Sequence, residues 1–344
     1  MLDDANYIKQ FDNQDALGVI AQHPQQLQAT FSVDVDIDAS AITQIVVAGM
    51  GGSALAGAFV RDWWRSELPI SLEVVRDYRL PAFVDQNTLV MVSSYSGNTE
   101  ETLAAYQDAG TRGAQRVVVT TGGELADRAA TDGVPVYELP SGYQPRMAVW
   151  YNIAALTHLA ERLGVLEAKQ QQLEAAMPLL EAAAKSWTPD VATADNPAKQ
   201  YAEMCLGKAV WILGSNSFQS ATYHWKAAIN ENAKHVATYN VLPEFNHNEF
   251  LGWTEHPRHK PFTVIQLRSN LEHECTQRRF DVTNRLLSGR MPAPLEIELA
   301  GETHIQQLLW ASLLGDFISV YLGILNNVNP TQVEAIERFK RELG

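Results

Sequence analysis

The stretch from Thr88 to Thr102 constrains the fold of this chain more than any other. An unbroken apolar run, Thr88-Leu89-Val90-Met91-Val92, leads into Ser93-Ser94-Tyr95-Ser96-Gly97-Asn98-Thr99, and a helical pattern starts near Glu100. A strand that is apolar on both faces is one buried inside a parallel sheet. A helix directly behind it presents free backbone N–H groups and the positive end of its dipole where strand meets helix. Capping that helix takes one hydroxyl or amide. Ser94, Ser96, Asn98 and Thr99 offer four, more than a cap requires. A cradle for an anion, with phosphate the expected ligand, accounts for the surplus.

The strand-then-turn pattern recurs along the chain. Residues 42–48 predict a buried strand ending at Gly49-Met50-Gly51-Gly52-Ser53, with a helix from Ala54 to about Arg65. Further strands are expected over 70–75, 89–92, 116–120 and 134–138. Strands alternating with helices call for an α/β fold, a parallel sheet flanked by helices on both faces. Residues 147–185 read as helical, and 187–197, polar with two prolines, read as a linker. Past it, Ala209-Val210-Trp211-Ile212-Leu213-Gly214-Ser215 repeats the pattern. A helix over 218–230 and strands over 262–267 and 295–299 follow, and an amphipathic helix over 331–343 closes the chain. The expected organisation is an N-terminal helical arm plus a first domain over 1–155, a helical connection and linker over 156–196, and a second domain of the same type over 197–344.

Charge and cysteine usage narrow the function classes. A net charge of −14 argues against nucleic acid as a partner and means that an anionic ligand must be drawn by local groups. Cys205 and Cys275 have no metal-ligand spacing and fit a reduced, cytoplasmic protein. The start, Met1-Leu2-Asp3-Asp4, is acidic where a secretion signal would be basic. Leu308 to Leu325 is apolar and about long enough to span a bilayer, but it holds Asp316 and two glycines and lacks basic flanks. A buried core helix is the expectation, and no membrane partner.

Several clusters carry chemistry. Gly49-x-Gly51-x-x-Ala54 fits the dinucleotide fingerprint, with Asp77 near the end of the next strand and Arg76 beside it. An NAD(P)-dependent dehydrogenase is therefore an alternative, although such a fold has no need of a hydroxyl-lined loop after a later strand. At the crevice of an open parallel sheet, Gly51, Gly52 and Ser53 could cover one side of a phosphate while Ser94, Ser96 and Thr99 hold the other. Glu231, between Asn230 and Asn232, taken alone is a solvated helix end. His247 lies in Pro243-Glu-Phe-Asn-His-Asn-Glu249, flanked by amides and carboxylates. A metal on Glu244, His247 and Glu249 would lack the paired histidines of a helical site. His256 and His259 read as surface residues. Arg146 sits at the start of a helix, an end cations do not favour, and is a planar donor suited to a developing negative charge.

Taken in order, Gly49-Met-Gly-Gly-Ser53, Ser94-Tyr-Ser-Gly-Asn-Thr99, Pro145-Arg146, Asn230-Glu-Asn-Ala-Lys234 and Pro243-Glu-Phe-Asn-His-Asn-Glu249 resemble the bifunctional phosphoglucose/phosphomannose isomerases, built from two sugar isomerase (SIS) domains. The resemblance covers nearly the whole chain. It implies an aldose–ketose isomerase that interconverts glucose 6-phosphate and mannose 6-phosphate with fructose 6-phosphate through a cis-enediol(ate), with no metal or organic cofactor. By resemblance, Ser53, Ser94, Ser96 and Thr99 bind the phosphate, with Gly51 and Gly52 allowing close backbone approach. Glu231 matches the base that moves the proton between C1 and C2. Arg146 matches the arginine facing the enediolate. His247 matches the ring-opening residue, which the family takes from the neighbouring subunit of a homodimer. Lys340 matches a C-terminal active-site lysine, and Thr331 stands near a threonine linked to mannose 6-phosphate use. Tyr223-His224-Trp225-Lys226 departs from the arginine-rich form expected there, a change expected to act on packing. The competing reading from another class is a sugar-phosphate-binding SIS protein without activity.

Overall fold

Apolar runs long enough to be covered on both faces form the centres of two parallel sheets. The computed structural model describes residues 1–255 and 260–343, with the side chains of Lys340 and Leu343 left aside; the expectation for His256 and His259 lies outside the described residues. In the first sheet, β1 (Gln44–Gly49), β2 (Ser71–Val75), β3 (Thr88–Ser93), β4 (Gln115–Thr120) and β5 (Val136–Glu138) lie in the order β2-β1-β3-β4-β5, all parallel. Every residue of β3 is buried, whereas the edge strand β2 is buried only at Val75. The second sheet holds β6 (Ala209–Ser215), β7 (Ala237–Leu242), β8 (Phe262–Arg268) and β9 (Leu295–Glu298) in the order β7-β6-β8-β9, again parallel. Chain order reverses between β1 and β3 in one sheet and between β6 and β8 in the other, so each sheet has a switch-point crevice at the ends of those strands. The duplicated α/β layout is present.

Three differences from the sequence expectation have local causes. β7 had no expected counterpart, because its middle residues Thr238, Tyr239 and Asn240 are only half-buried and interrupt the apolar run. The expected helical stretch 147–185 is two helices, Val149–Arg162 and Lys169–Ser186, separated where Gly164 and Ala168 take left-handed backbone. The N-terminal arm is divided: residues 23–31 stay with the first sheet's unit, where Gln26 Nε2 donates to the Met147 carbonyl at 2.7 Å, and residues 1–22 group with the second. The chain divides into one unit over His23–Met177 and another made of Met1–Gln22 with Pro178–Gly344. Lys199, with its side chain fully buried, draws the arm in: its Nζ donates to Asp3 Oδ1 at 3.0 Å and to the carbonyls of Pro189 and Val191. Tyr7 adds hydrogen bonds from its hydroxyl to the Ile324 carbonyl and Asn327 Oδ1.

The apolar helix is His304–Leu325, the one helix among the described residues long and apolar enough to cross a membrane. It is the centre of the second sheet's unit, buried from Ile305 to Leu325 except at Gln306 and Trp310. Its two internal glycines fit partners closely. A β-carbon on Gly315 would stand 2.7 Å from the Trp225 ring, and one on Gly323 2.7 Å from the Asn232 carbonyl. Asp316 is answered by His224 at 2.8 Å, both buried, and Trp225 Nε1 donates to the Ala311 carbonyl at 2.7 Å. Part of the departing Tyr223–Lys226 segment thus goes into packing against this helix.

Candidate active site

The first crevice gathers the phosphate-binding candidates. β1 and β3 are paired so that Gly49 stands opposite Ser93, which puts the two following loops side by side. The first loop runs into the helix Gly51–Trp64, whose cap residue Met50 gives it no side-chain hydrogen bond. Gly51 has a φ of 50°, and a β-carbon on Gly52 would stand 2.7 Å from the Pro145 carbonyl. Glycine at 52 therefore lets the turn Pro145–Met147, which carries the half-buried Arg146, close onto the start of this helix. Ser53 is buried and its Oγ accepts from the Tyr95 N–H at 3.3 Å, joining the first loop to the second.

The second loop leads into the helix Glu100–Thr111. Thr99 is its cap residue but makes no capping bond. Instead Thr99 Oγ1 accepts from the buried Ser94 hydroxyl at 3.0 Å. Asn98 does not cap this helix either: its Oδ1 accepts from the Glu124 N–H at 3.0 Å, at the start of the helix Gly123–Asp132. The hydroxyls therefore leave the first-turn N–H groups of Glu100–Thr111 to another acceptor, as an anion cradle requires. Ser96 is exposed and Thr99 half-buried, so the polar side of the loop is reachable. The loop is held from behind. Thr121 Oγ1 donates to the Tyr95 carbonyl at 2.8 Å, and the Tyr95 hydroxyl donates to the Pro140 carbonyl at 2.9 Å. Burial pushes the Tyr95 phenol above its ordinary pKa, which keeps it a neutral donor. The Tyr143 N–H completes the link by donating to the Tyr95 oxygen at 3.1 Å, three residues ahead of Arg146.

Gly51, Gly52, Ser53, Ser94, Ser96, Thr99 and Arg146 thus share one neighbourhood in the first unit. Asp77, the ribose-binding candidate of the dinucleotide alternative, accepts from the adjacent Tyr78 N–H at 2.6 Å. The Pro145 carbonyl closes on Gly52 at the turn where a pyrophosphate would have to approach. Both features count against that alternative.

The proton-transfer candidates belong to the other unit. Glu231 is half-buried in the last turn of the helix Gln219–Ala233 and lines a cavity of about 510 Å³ with Asn230, Lys234, Val328, Asn329 and residues 332–336. The last of these run into the helix Glu334–Leu343, which carries Lys340. His247 is exposed at the end of the turn Glu244–His247 and is not among the described residues lining that cavity. Its acidic neighbours hold local structure: Glu249 accepts from Asn240 Nδ2 at 2.7 Å and from Trp253 Nε1 at 3.1 Å, and Glu244 from Asn248 Nδ2 at 2.6 Å. Among the described residues no three His, Cys, Asp or Glu side chains are grouped to hold a metal. Lys234, in the sequence only the last residue of the Asn230–Lys234 motif, donates to the carbonyls of Asn329 and Pro330.

The second crevice has the same layout but a different filling. The Ser269 hydroxyl donates to Gln307 Oε1 at 2.6 Å, and Gln307 Nε2 returns to Asn270 Oδ1 at 2.7 Å. His273 Nδ1 caps the following helix, Glu274–Leu286, by accepting from the Cys275 N–H. Glu272 is buried, and burial pushes its carboxyl up to about 7 despite the nearby Ser215 and Arg268. On its β8 side, capped and filled in this way, the crevice differs from the open loop at Ser94–Thr99.

Comparison with known proteins agrees with this layout. The SIS domain model matches residues 40–134, and the bacterial phospho-glucose isomerase C-terminal SIS domain model matches residues 194–343. A bifunctional phosphoglucose/phosphomannose isomerase of Caldicellulosiruptor bescii is 37% identical over 328 residues, 93% of this chain and 96% of that protein. The chain belongs to the bifunctional phosphoglucose/phosphomannose isomerase family. A second member, from Aquifex aeolicus, is 32% identical over 90% of this chain and 93% of its own length. Among solved structures, the C-terminal domain of glucosamine-fructose-6-phosphate aminotransferase from Francisella tularensis is 13% identical and superposes with a TM-score of 0.72, covering 92% of this chain and 98% of that one. It shares the two-sheet fold.

Proposed function

We propose that this chain is an aldose–ketose isomerase that interconverts glucose 6-phosphate, and mannose 6-phosphate, with fructose 6-phosphate. The observation that carries the reading is the open, uncapped cradle of Ser53, Ser94, Ser96 and Thr99 beside Arg146, in a chain 37% identical to such an isomerase over 96% of that protein's length. A phosphate held there is a handle remote from the reacting carbons, and its binding energy serves to position them.

The roles follow the family resemblance. His247 of the partner subunit in a homodimer opens the pyranose ring by giving a proton to the ring oxygen as the C1–O5 bond breaks and the C1 hydroxyl loses its proton to water, leaving the open-chain aldehyde. Glu231 then takes the proton from C2 of the open-chain aldose as the C1 carbonyl becomes an enediolate oxygen, and returns it to C1 as the C2 hydroxyl passes its proton to the C1 oxygen and becomes the ketose carbonyl. Arg146 faces the enediolate oxygen with a fixed positive charge, and Lys340 acts at the same substrate. Rotation about the C2–C3 bond before proton removal lets one base serve both epimers. No step calls for a metal or an organic cofactor. The unpaired cysteines Cys205 and Cys275 suit an enzyme of the cytoplasm.

A coupled assay on glucose 6-phosphate and mannose 6-phosphate tests this. Wild type is expected to turn over both, and Glu231→Gln to lose about 10²–10⁴-fold in kcat, the usual contribution of a general base. A Glu231→Gln variant with near wild-type turnover would remove the proposed base. Mixing Glu231→Gln and His247→Ala chains is expected to restore part of the activity, and no recovery would count against a shared site.

A further inference from the structure

Lys234 ends the helix that bears Glu231, and its backbone is left-handed, φ 49°. Side chains with a β-carbon avoid that conformation, and glycine is the usual residue at such a helix end. A lysine held there against its backbone preference points to a use for its side chain. Its Nζ donates to the Asn329 carbonyl at 2.6 Å and to the Pro330 carbonyl at 3.2 Å. An ammonium on two carbonyls is a charge-assisted contact, stronger than a neutral one. A second tie runs parallel to it, from Asn326 Nδ2 to the Ala233 carbonyl at 3.0 Å. The turn so held is tight in itself, since Asn329 Oδ1 accepts from the Thr331 N–H at 2.8 Å. Beyond the turn, Gln332 to Ile336 line the same cavity as Glu231, and the chain continues into the helix with Lys340.

We infer that Lys234 is a positioning residue: it seats the Asn329–Thr331 turn, and with it the start of the C-terminal helix, against the cavity that Glu231 lines. Its effect on turnover rests on the isomerase reading above; its effect on the segment does not.

Lys234→Gly separates the two roles, because glycine relieves the backbone strain while deleting the clamp. The variant is expected to melt at or above the wild-type temperature. Its amides over 329–343 should exchange with solvent faster than in wild type. Its kcat on glucose 6-phosphate should fall about 10- to 100-fold, with KM changed much less, as for misplacement of groups around a bound substrate. Lys234→Arg, which keeps the charge and reach, should restore most of both. Unchanged exchange over 329–343 overturns the clamp whatever the activity. Faster exchange with wild-type kcat overturns the positioning role. A wild type inactive on sugar phosphates would instead refute the isomerase reading, and the exchange measurement alone would then decide the clamp.

Discussion

At Gly97 the backbone is left-handed, φ 68°, and a β-carbon would collide with the Gly122 carbonyl of the neighbouring loop. Gly97→Ala therefore combines a left-handed penalty of about 1–2 kcal/mol with a steric clash. It is expected to lower the urea midpoint and raise KM for the sugar phosphate together, because the same loop carries Ser94, Ser96 and Thr99. Glu272 gives a pH signature. Burial raises its carboxyl to about 7, so the folded chain holds a proton that the unfolded chain gives up near its ordinary value of 4.5. Stability accordingly falls as pH rises from about 4.5 to about 7 and stays lowered above that, by about 3 kcal/mol for a shift of this size. Glu272→Gln is expected to gain on wild type as pH moves from 5 to 8, measured by urea unfolding at both pH values. A difference that stays constant with pH would remove Glu272 as the cause. Residues such as these were silent in the sequence: Gly97 read as part of a motif, and a glutamate between Leu271 and His273 carries no sign that its carboxylate is buried.

Secondary elements were legible where periodicity was strong. β1, β3, β6 and β8 are runs covered on both faces, and each was expected within two residues of where it lies. β7 was not, because a half-buried edge strand interrupts its own pattern. Two crevices with the same strand order also differ in a way strand patterns cannot carry. At the first, Thr99 leaves its helix uncapped; at the second, His273 caps and Gln307 fills. Gln307 comes from a helix nearly forty residues further along, so no local signal reveals that filling. The contrast has a kinetic consequence. Ser94→Ala removes a hydroxyl of the proposed phosphate cradle and is expected to lower kcat/KM about 10- to 100-fold, the range for a hydrogen bond to a charged group. Ser269→Ala, at the corresponding place in the filled crevice, should leave KM unchanged and cost about 1 kcal/mol of stability. Equal kinetic effects from the two variants would contradict the assignment of the phosphate to the first crevice alone.

For the whole chain, the order of motifs was enough to reach the family, since five short segments spread from Gly49 to Glu249 leave little room for another arrangement. The packing of the N-terminal arm was not legible, because it depends on one buried lysine answering an aspartate nearly two hundred residues away. Hydrogen bonds from Lys199 and Thr193 hold the Asp3 carboxyl down at about 2. A depressed carboxylate contributes stability above its unfolded value, near 4, and loses it as pH falls from about 4 to about 2. Asp3→Asn is expected to melt lower than wild type at pH 7 and to show a flatter acid dependence between pH 4 and 2. A net charge of −14 gives the molecule no long-range pull on a sugar phosphate, so the proposed substrate has to be drawn by local groups, for which the cradle and Arg146 are the candidates. We propose that this chain moves a proton between C1 and C2 of a hexose 6-phosphate through Glu231. Proton NMR of glucose 6-phosphate in D₂O tests it most directly. With wild type, fructose 6-phosphate resonances should grow in and the recovered glucose 6-phosphate should lose its C2–H signal; with Glu231→Gln both should slow about 10²–10⁴-fold. A wild type that forms no fructose 6-phosphate, or a Glu231→Gln variant that forms it at the wild-type rate, would contradict the account.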